Sequence, residues 1–192
     1  MKKQSVRERV LKIAREKFLE HGFYKISMDR LVQELRTSKS SLYNHFRSKE
    51  ELVLAVIDEL NAEINQKLGA VLNDDKLTFK GKLIAISEFT SQLLSQVSEE
   101  FLRDLELHTP EIWEHYQEAR NQRIDNYYRQ LFEVGIREGM VRSDMDTDLI
   151  LITYLSLTEI PLRSGYVDSL NMNNQDIYDH ITEIFLTGIL TS

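Results

Sequence analysis

Between Ser38 and Phe46 the chain reads SKSSLYNHF, and RSKEEL follows at once. Three serines, a lysine, a tyrosine, an asparagine and a histidine surround two apolar residues, Leu42 and Phe46. Those two are four apart, so on a helix they share one face and pin it to a core. The remaining faces carry Lys39, Ser40, Ser41, Tyr43 and Asn44. Hydroxyls and an amide exchange hydrogen bonds with polar edges, an ammonium neutralises an anion, and a rigid phenol delivers its OH at a distance. A helix of this composition does not belong inside a core. Its chemistry suits a polar, negatively charged surface.

The distribution of charge agrees. The 192 residues carry a net charge of −7. Yet residues 1–54 hold 13 Lys and Arg against 7 Asp and Glu, a surplus of six positive, while the rest holds 11 against 24. Such asymmetry marks a polyanion-binding module joined to a body with another task. There is no cysteine, which excludes disulfides and thiolate zinc sites and fits a reducing cytoplasm. The start, MKKQSVRERV, has no apolar run behind its charges and is not a secretory signal. No apolar stretch approaches the ~20 residues of a membrane span. No Ser/His/Asp arrangement, glycine-rich phosphate loop or carboxylate dyad stands out, so neither an enzyme nor a cofactor is expected. His108, Glu111, Glu114 and His115 could suggest a metal, but Pro110 separates His108 from the helix holding the others. No metal site is expected.

The elements that position SKSSLYNHF are helical. Proline occurs only at 110 and 161, and apolar residues recur at i, i+3 and i+4 spacing, so the fold is all-α. A first helix spans about Ser5–His21, opened by a Ser5/Glu8 capping box and stopped by Gly22. Ser27 caps a second, which turns Met28, Leu31, Val32 and Leu35 inward. Arg36 and Thr37 make a tight corner, and Ser38–Phe46 is the third helix. Ser48, with Glu51 closing another box, opens a long fourth helix to about Leu72. Further helices are expected over about Leu77–Val97, Phe101–Leu107, Pro110–Glu138, Asp146–Arg163 and Asn174–Leu190. The Asp146–Arg163 segment is apolar nearly all round, through Leu149, Ile152 and Ile160 among others, which calls for burial on every side.

Two short helices about a tight corner in a basic segment make a helix-turn-helix, whose second helix enters the DNA major groove. From Val6 to Leu54 the chain resembles the DNA-binding region of the TetR family of bacterial transcriptional regulators. The resemblance is carried by Phe18, Gly22, Phe23-Tyr24, Ser27-Met28, Leu31-Val32, SKSSLYNHF, Lys49 and Leu52. It implies a three-helix DNA-binding domain at 1–49, joined through the long helix to a ligand-binding and dimerisation domain at 50–192. It implies base contacts from Lys39, Ser40, Ser41 and Asn44. Phosphate contacts fall to Ser27, with Met28 beside it, and to Tyr43, His45 and Lys49. The corner departs from the family's usual A-G-V-S-x-G-T: Arg36 stands where glycine is common, at a cost of about 1 kcal/mol if that position is left-handed.

For the body, the resemblance implies a homodimer through the last two helices, about 147–163 and 174–190, and a repressor released from a palindromic operator by a small-molecule inducer. The apolar surface of those helices argues for pairing as well. Trp113, Tyr116, Tyr127, Tyr128 and Tyr154 are candidate pocket residues, although aromatics at helical spacing also make ordinary core. The alternative is a DNA-binding protein governed by a protein partner or acting architecturally, with no small ligand. Either would be cytoplasmic, on the nucleoid when bound.

Overall fold

The computed structural model describes residues 5–163 and 171–190, and the side chains of all of these except 159–163 and 174. Ile160 therefore lies outside the described side chains. The described chain is helical, with a single isolated antiparallel bridge, Val141 to Leu190. No described helix is long and apolar enough to cross a membrane.

The elements in order are α1 (Val6–His21), α2 (Met28–Leu35), α3 (Lys39–Tyr43), α4 (Lys49–Leu72), α5 (Phe79–Leu94), α6 (Glu99–His108), α7 (Pro110–Arg123), a π-helical segment (Ile124–Arg129), α8 (Gln130–Arg137), α9 (Thr147–Arg163) and α10 (Asn174–Ile189). Local chemistry sets most boundaries. Ser5 and Glu8 form the reciprocal capping box of α1. Ser27, Ser38, Thr78, Ser98 and Asn173 each accept a backbone N–H at the start of their helices. Asp146 Oδ1 accepts from the N–H groups of Asp148 (2.9 Å) and Leu149 (3.2 Å).

Several expectations are corrected. The third helix is Lys39–Tyr43, shorter than Ser38–Phe46, although the Phe46 N–H still donates to the Leu42 carbonyl at 3.0 Å. The Ser48 box is not reciprocal: Glu51 N–H donates to Ser48 Oγ, but Glu51 Oε2 takes the Arg47 N–H instead. The helix expected to run unbroken to Glu138 changes to i→i+5 bonding over Ile124–Arg129. The α9 helix is not buried on every side, since Leu149 is 53% and Ile152 is 62% exposed.

The chain divides into two compact units, residues 1–63 with 96–118, and residues 64–95 with 119–192. In the first, Val10, Ala14, Phe18, Leu31, Leu42, Leu52, Val53 and Val56 form a closed core beneath α1–α4. In the second, α10 packs on α5 and α9 around Leu83, Phe132, Tyr154 and Phe185.

Candidate nucleic-acid interface

Leu42 and Phe46 are 0% and 1% exposed, and Arg7 caps Phe46 with its guanidinium 5.2 Å from the ring centre. These two anchors fix α3 on the first unit. Lys39, Ser40, Tyr43, Asn44 and His45 are exposed, and Ser41 is half-buried. A continuous polar face therefore stands outward, as the spacing of the anchors requires. Ser38 Oγ accepts the Ser41 N–H at 3.0 Å, which sets the angle at which α3 leaves the corner.

The corner is as tight as the sequence suggested. Arg36 takes the left-handed conformation, φ 49° and ψ 43°, and its N–H donates to the Gln33 carbonyl at 3.2 Å. Thr37 N–H reaches the Val32 carbonyl at 3.3 Å, so this arginine ends α2 in the way glycine usually does.

Lys39 is not idle. Its ammonium pairs with Asp29 in the first turn of α2 at 2.8 Å and lies 6.0 Å from the Tyr43 ring centre. The hydrogen bond it donates to Asp29 holds this exposed lysine above its ordinary pKa. Ser27 is exposed at the start of α2, its Oγ accepting the Arg30 N–H. Met28 is 6% exposed, so its side chain belongs to the core.

Lys49 does something the sequence did not suggest. Its Nζ donates to the carbonyl oxygens of Phe23 (3.0 Å), Tyr24 (2.9 Å) and Ile26 (3.2 Å). An ammonium has three donors, and here each has a carbonyl. Burial lowers the pKa of Lys49, opposed by the charges of Glu50 and Asp104. The residue ties α4 to the loop between α1 and α2.

The same loop is held from α6. Asp104 Oδ2 accepts the Tyr24 N–H at 2.7 Å, His108 stacks on the Tyr24 ring at 3.7 Å, and Phe101 meets Phe23 edge-on at 6.1 Å. Gly22 (φ 72°, ψ 166°) lets Asp104 approach so closely that a Cβ at Gly22 would stand 2.5 Å from Oδ2. His115 pairs with Asp58 at 2.8 Å, so the two histidines considered for a metal serve separate contacts. Nothing local marks Asp104, whose partner Tyr24 lies 80 residues away, whereas Asp29 and Lys39 are 10 apart and meet across the corner.

Of the candidate pocket residues, Tyr128 and Tyr154 come together, their ring centres 5.7 Å apart. Tyr154 also packs on Phe132 and Phe185 and is 2% exposed; burial holds its hydroxyl well above the usual tyrosine pKa. Tyr127 faces Gly69. Trp113 and Tyr116 stack at 5.6 Å in the other unit. A cleft of about 500 Å³ in the second unit is lined by none of these five.

Residues 10–56 match the family described as "Bacterial regulatory proteins, tetR family". The HTH-type transcriptional regulator UidR of Escherichia coli K12 is 44% identical over 54 residues, which are 28% of this chain and 28% of that protein. The HTH-type transcriptional regulator QacR of Staphylococcus aureus is 18% identical over 192 residues, covering 96% of this chain and 98% of QacR. The crystal structure of a TetR transcriptional regulator from Legionella pneumophila superimposes with a TM-score of 0.78 at 18% identity, over 98% of this chain and 100% of that one. The N-terminal helix-turn-helix is therefore matched in sequence by the tetR family over residues 10–56, and the chain as a whole shares the helical fold of a solved TetR regulator.

Proposed function

We propose that this chain is a cytoplasmic DNA-binding transcriptional regulator, a dimeric repressor released from a palindromic operator by a small ligand. The observation that carries this reading is the outward polar face of α3, held by Leu42 and Phe46. Lys39, Ser40, Ser41 and Asn44 read base edges, and Ser27, Tyr43 and His45 hold phosphates. Lys39 leaves Asp29 for the duplex, a partner of far higher charge density. Lys49, with its donors engaged, supports the interface by fixing the loop at 23–26. The division at 49/50 into a DNA-binding and a regulatory domain belongs to this reading.

Dimerisation runs through α9 and α10. Supporting it are Leu149 on α9, 53% exposed, and Ile184 on α10, 68% exposed. Large aliphatic side chains left this open to water favour burial against a partner. A two-fold pair presents two recognition helices, and operator binding requires them about 34–36 Å apart. Ligand binding to the body shifts the population away from that separation through α4, which contributes residues to both compact units.

The test is titration of a selected operator duplex, followed by anisotropy. Ser40→Ala and Asn44→Ala each weaken binding by about 1–3 kcal/mol and relax preference at particular base pairs. Unchanged affinity and preference in both variants would remove α3 from the interface.

A further inference from the structure

The second unit carries an open cleft of about 500 Å³ between the α7–π segment and α9. Its apolar lining comes from Ile124, Leu151, Ile152 and Leu155, and its cations are Arg120 and Arg129. That volume is in the range of small-molecule sites. The mixture of aliphatic wall and guanidinium groups is the chemistry of an amphipathic anion.

The π-helical segment explains why both features share one cleft. At 3.6 residues per turn, Arg129 would stand about 140° around the helix from Ile124. Hydrogen bonds closing five residues apart swing it back toward the Ile124 face. Ile124 and Arg129 are the first and last residues of that segment, and both line the cleft.

The guanidinium is already shown holding a carboxylate. Arg129 Nη1 donates to Asp148 Oδ1 of α9 at 2.5 Å, and its Nε donates to Asp125 at 3.2 Å. Asp148 also lines the cleft, so the pair bridges its two walls. A ligand carboxylate entering there would compete with Asp148 for the same donor.

We propose that the cleft binds a medium-chain aliphatic carboxylate, which lays its chain on Ile124, Ile152 and Leu155 and takes Arg129 from Asp148, with Arg120 as second cation. This deepens, and rests on, the reading of the chain as ligand-responsive. Exchange of the Arg129 partner unfastens the start of α9 from the π segment. The effector thereby acts on one of the helices assigned to dimerisation.

The probe is decanoate, with decyltrimethylammonium as the opposite-charge control, added to the full-length protein. Methyl NMR of Ile124 and Ile152 reports binding at the cleft. Decanoate shifts both methyls saturably and the cation does not. Arg129→Gln weakens decanoate about tenfold or more, the loss of a charge-assisted contact. Asp148→Asn strengthens it severalfold, a gain that misfolding could not produce. Failure of decanoate to shift these methyls, equal response to the cation, or unchanged affinity in Arg129→Gln overturns the proposal. Operator affinity measured on the same samples separates the two readings. Decanoate bound in the cleft without any change in operator affinity leaves the site standing and removes ligand release.

Discussion

Replacing Gly22 by alanine tests how the DNA-binding unit is held together. Gly22 sits at φ 72°, ψ 166°, a region that essentially only glycine occupies. Forcing alanine there costs about 1–3 kcal/mol. The added Cβ would also lie 2.5 Å from Asp104 Oδ2 and 2.8 Å from Glu100 Cγ. Asp104 must then withdraw from the Tyr24 N–H that it accepts at 2.7 Å, and a hydrogen bond to a charged group is worth about 1.5–3 kcal/mol. The two effects together amount to about 2.5–6 kcal/mol. For a chain of this size that corresponds to a fall in Tm of about 5–24 °C. Calorimetry of wild type, Gly22→Ala, Asp104→Ala and the double variant forms the cycle. With Asp104 gone the 2.5 Å clash disappears and only the contact with the flexible Glu100 side chain remains, so the double variant loses less than the sum of the singles. A Gly22→Ala loss under about 1 kcal/mol, or strict additivity, would refute the reasoning.

Asp29→Asn should strengthen operator binding, because it frees Lys39 from its 2.8 Å partner and removes a negative charge beside the duplex; anisotropy at fixed salt measures this. Lys39→Ala should weaken binding and reduce the dependence of log K on log salt by about one unit, or less if Lys39 reads a base alone. Arg36→Gly should stabilise the protein by about 0.5–1 kcal/mol in denaturant titration, since the left-handed position costs arginine about 1–2 kcal/mol and glycine returns part of this as unfolded-state entropy. Leu149→Asp with Ile184→Asp should convert dimers to monomers in sedimentation equilibrium while leaving the helical circular dichroism intact, because both side chains are more than half exposed on one chain.

Much of the first unit could be read from the sequence because its signals are local. The Ser5, Ser27 and Ser38 caps, the stop at Gly22, and the anchors Leu42 and Phe46 depend on neighbours within a few residues. The left-handed corner at Arg36 was also legible as a departure from glycine. What was missed depends on contacts across long stretches of chain. Nothing near Lys49 indicates that its ammonium closes on carbonyls at 23, 24 and 26, and nothing near Gly22 indicates that Asp104 lies against it. In the second unit, periodicity identified α9 but could not say which apolar residues are covered: Ile150, Leu151 and Tyr154 are buried, whereas Leu149 and Ile152 are not. The π segment carries no proline or glycine to mark it, so an unbroken helix was the natural expectation.

The most direct measurement is selection of bound sequences from a random duplex pool by the full-length protein. If two copies of α3 face one side of DNA, the recovered sequences carry an inverted repeat whose half-sites are centred about one helical turn, 10–10.5 base pairs, or a multiple of it apart. Substituting Ser40 or Asn44 should then change the preferred bases within each half-site. Recovery of no enriched motif, or of a lone asymmetric site unaffected by those substitutions, would contradict the account.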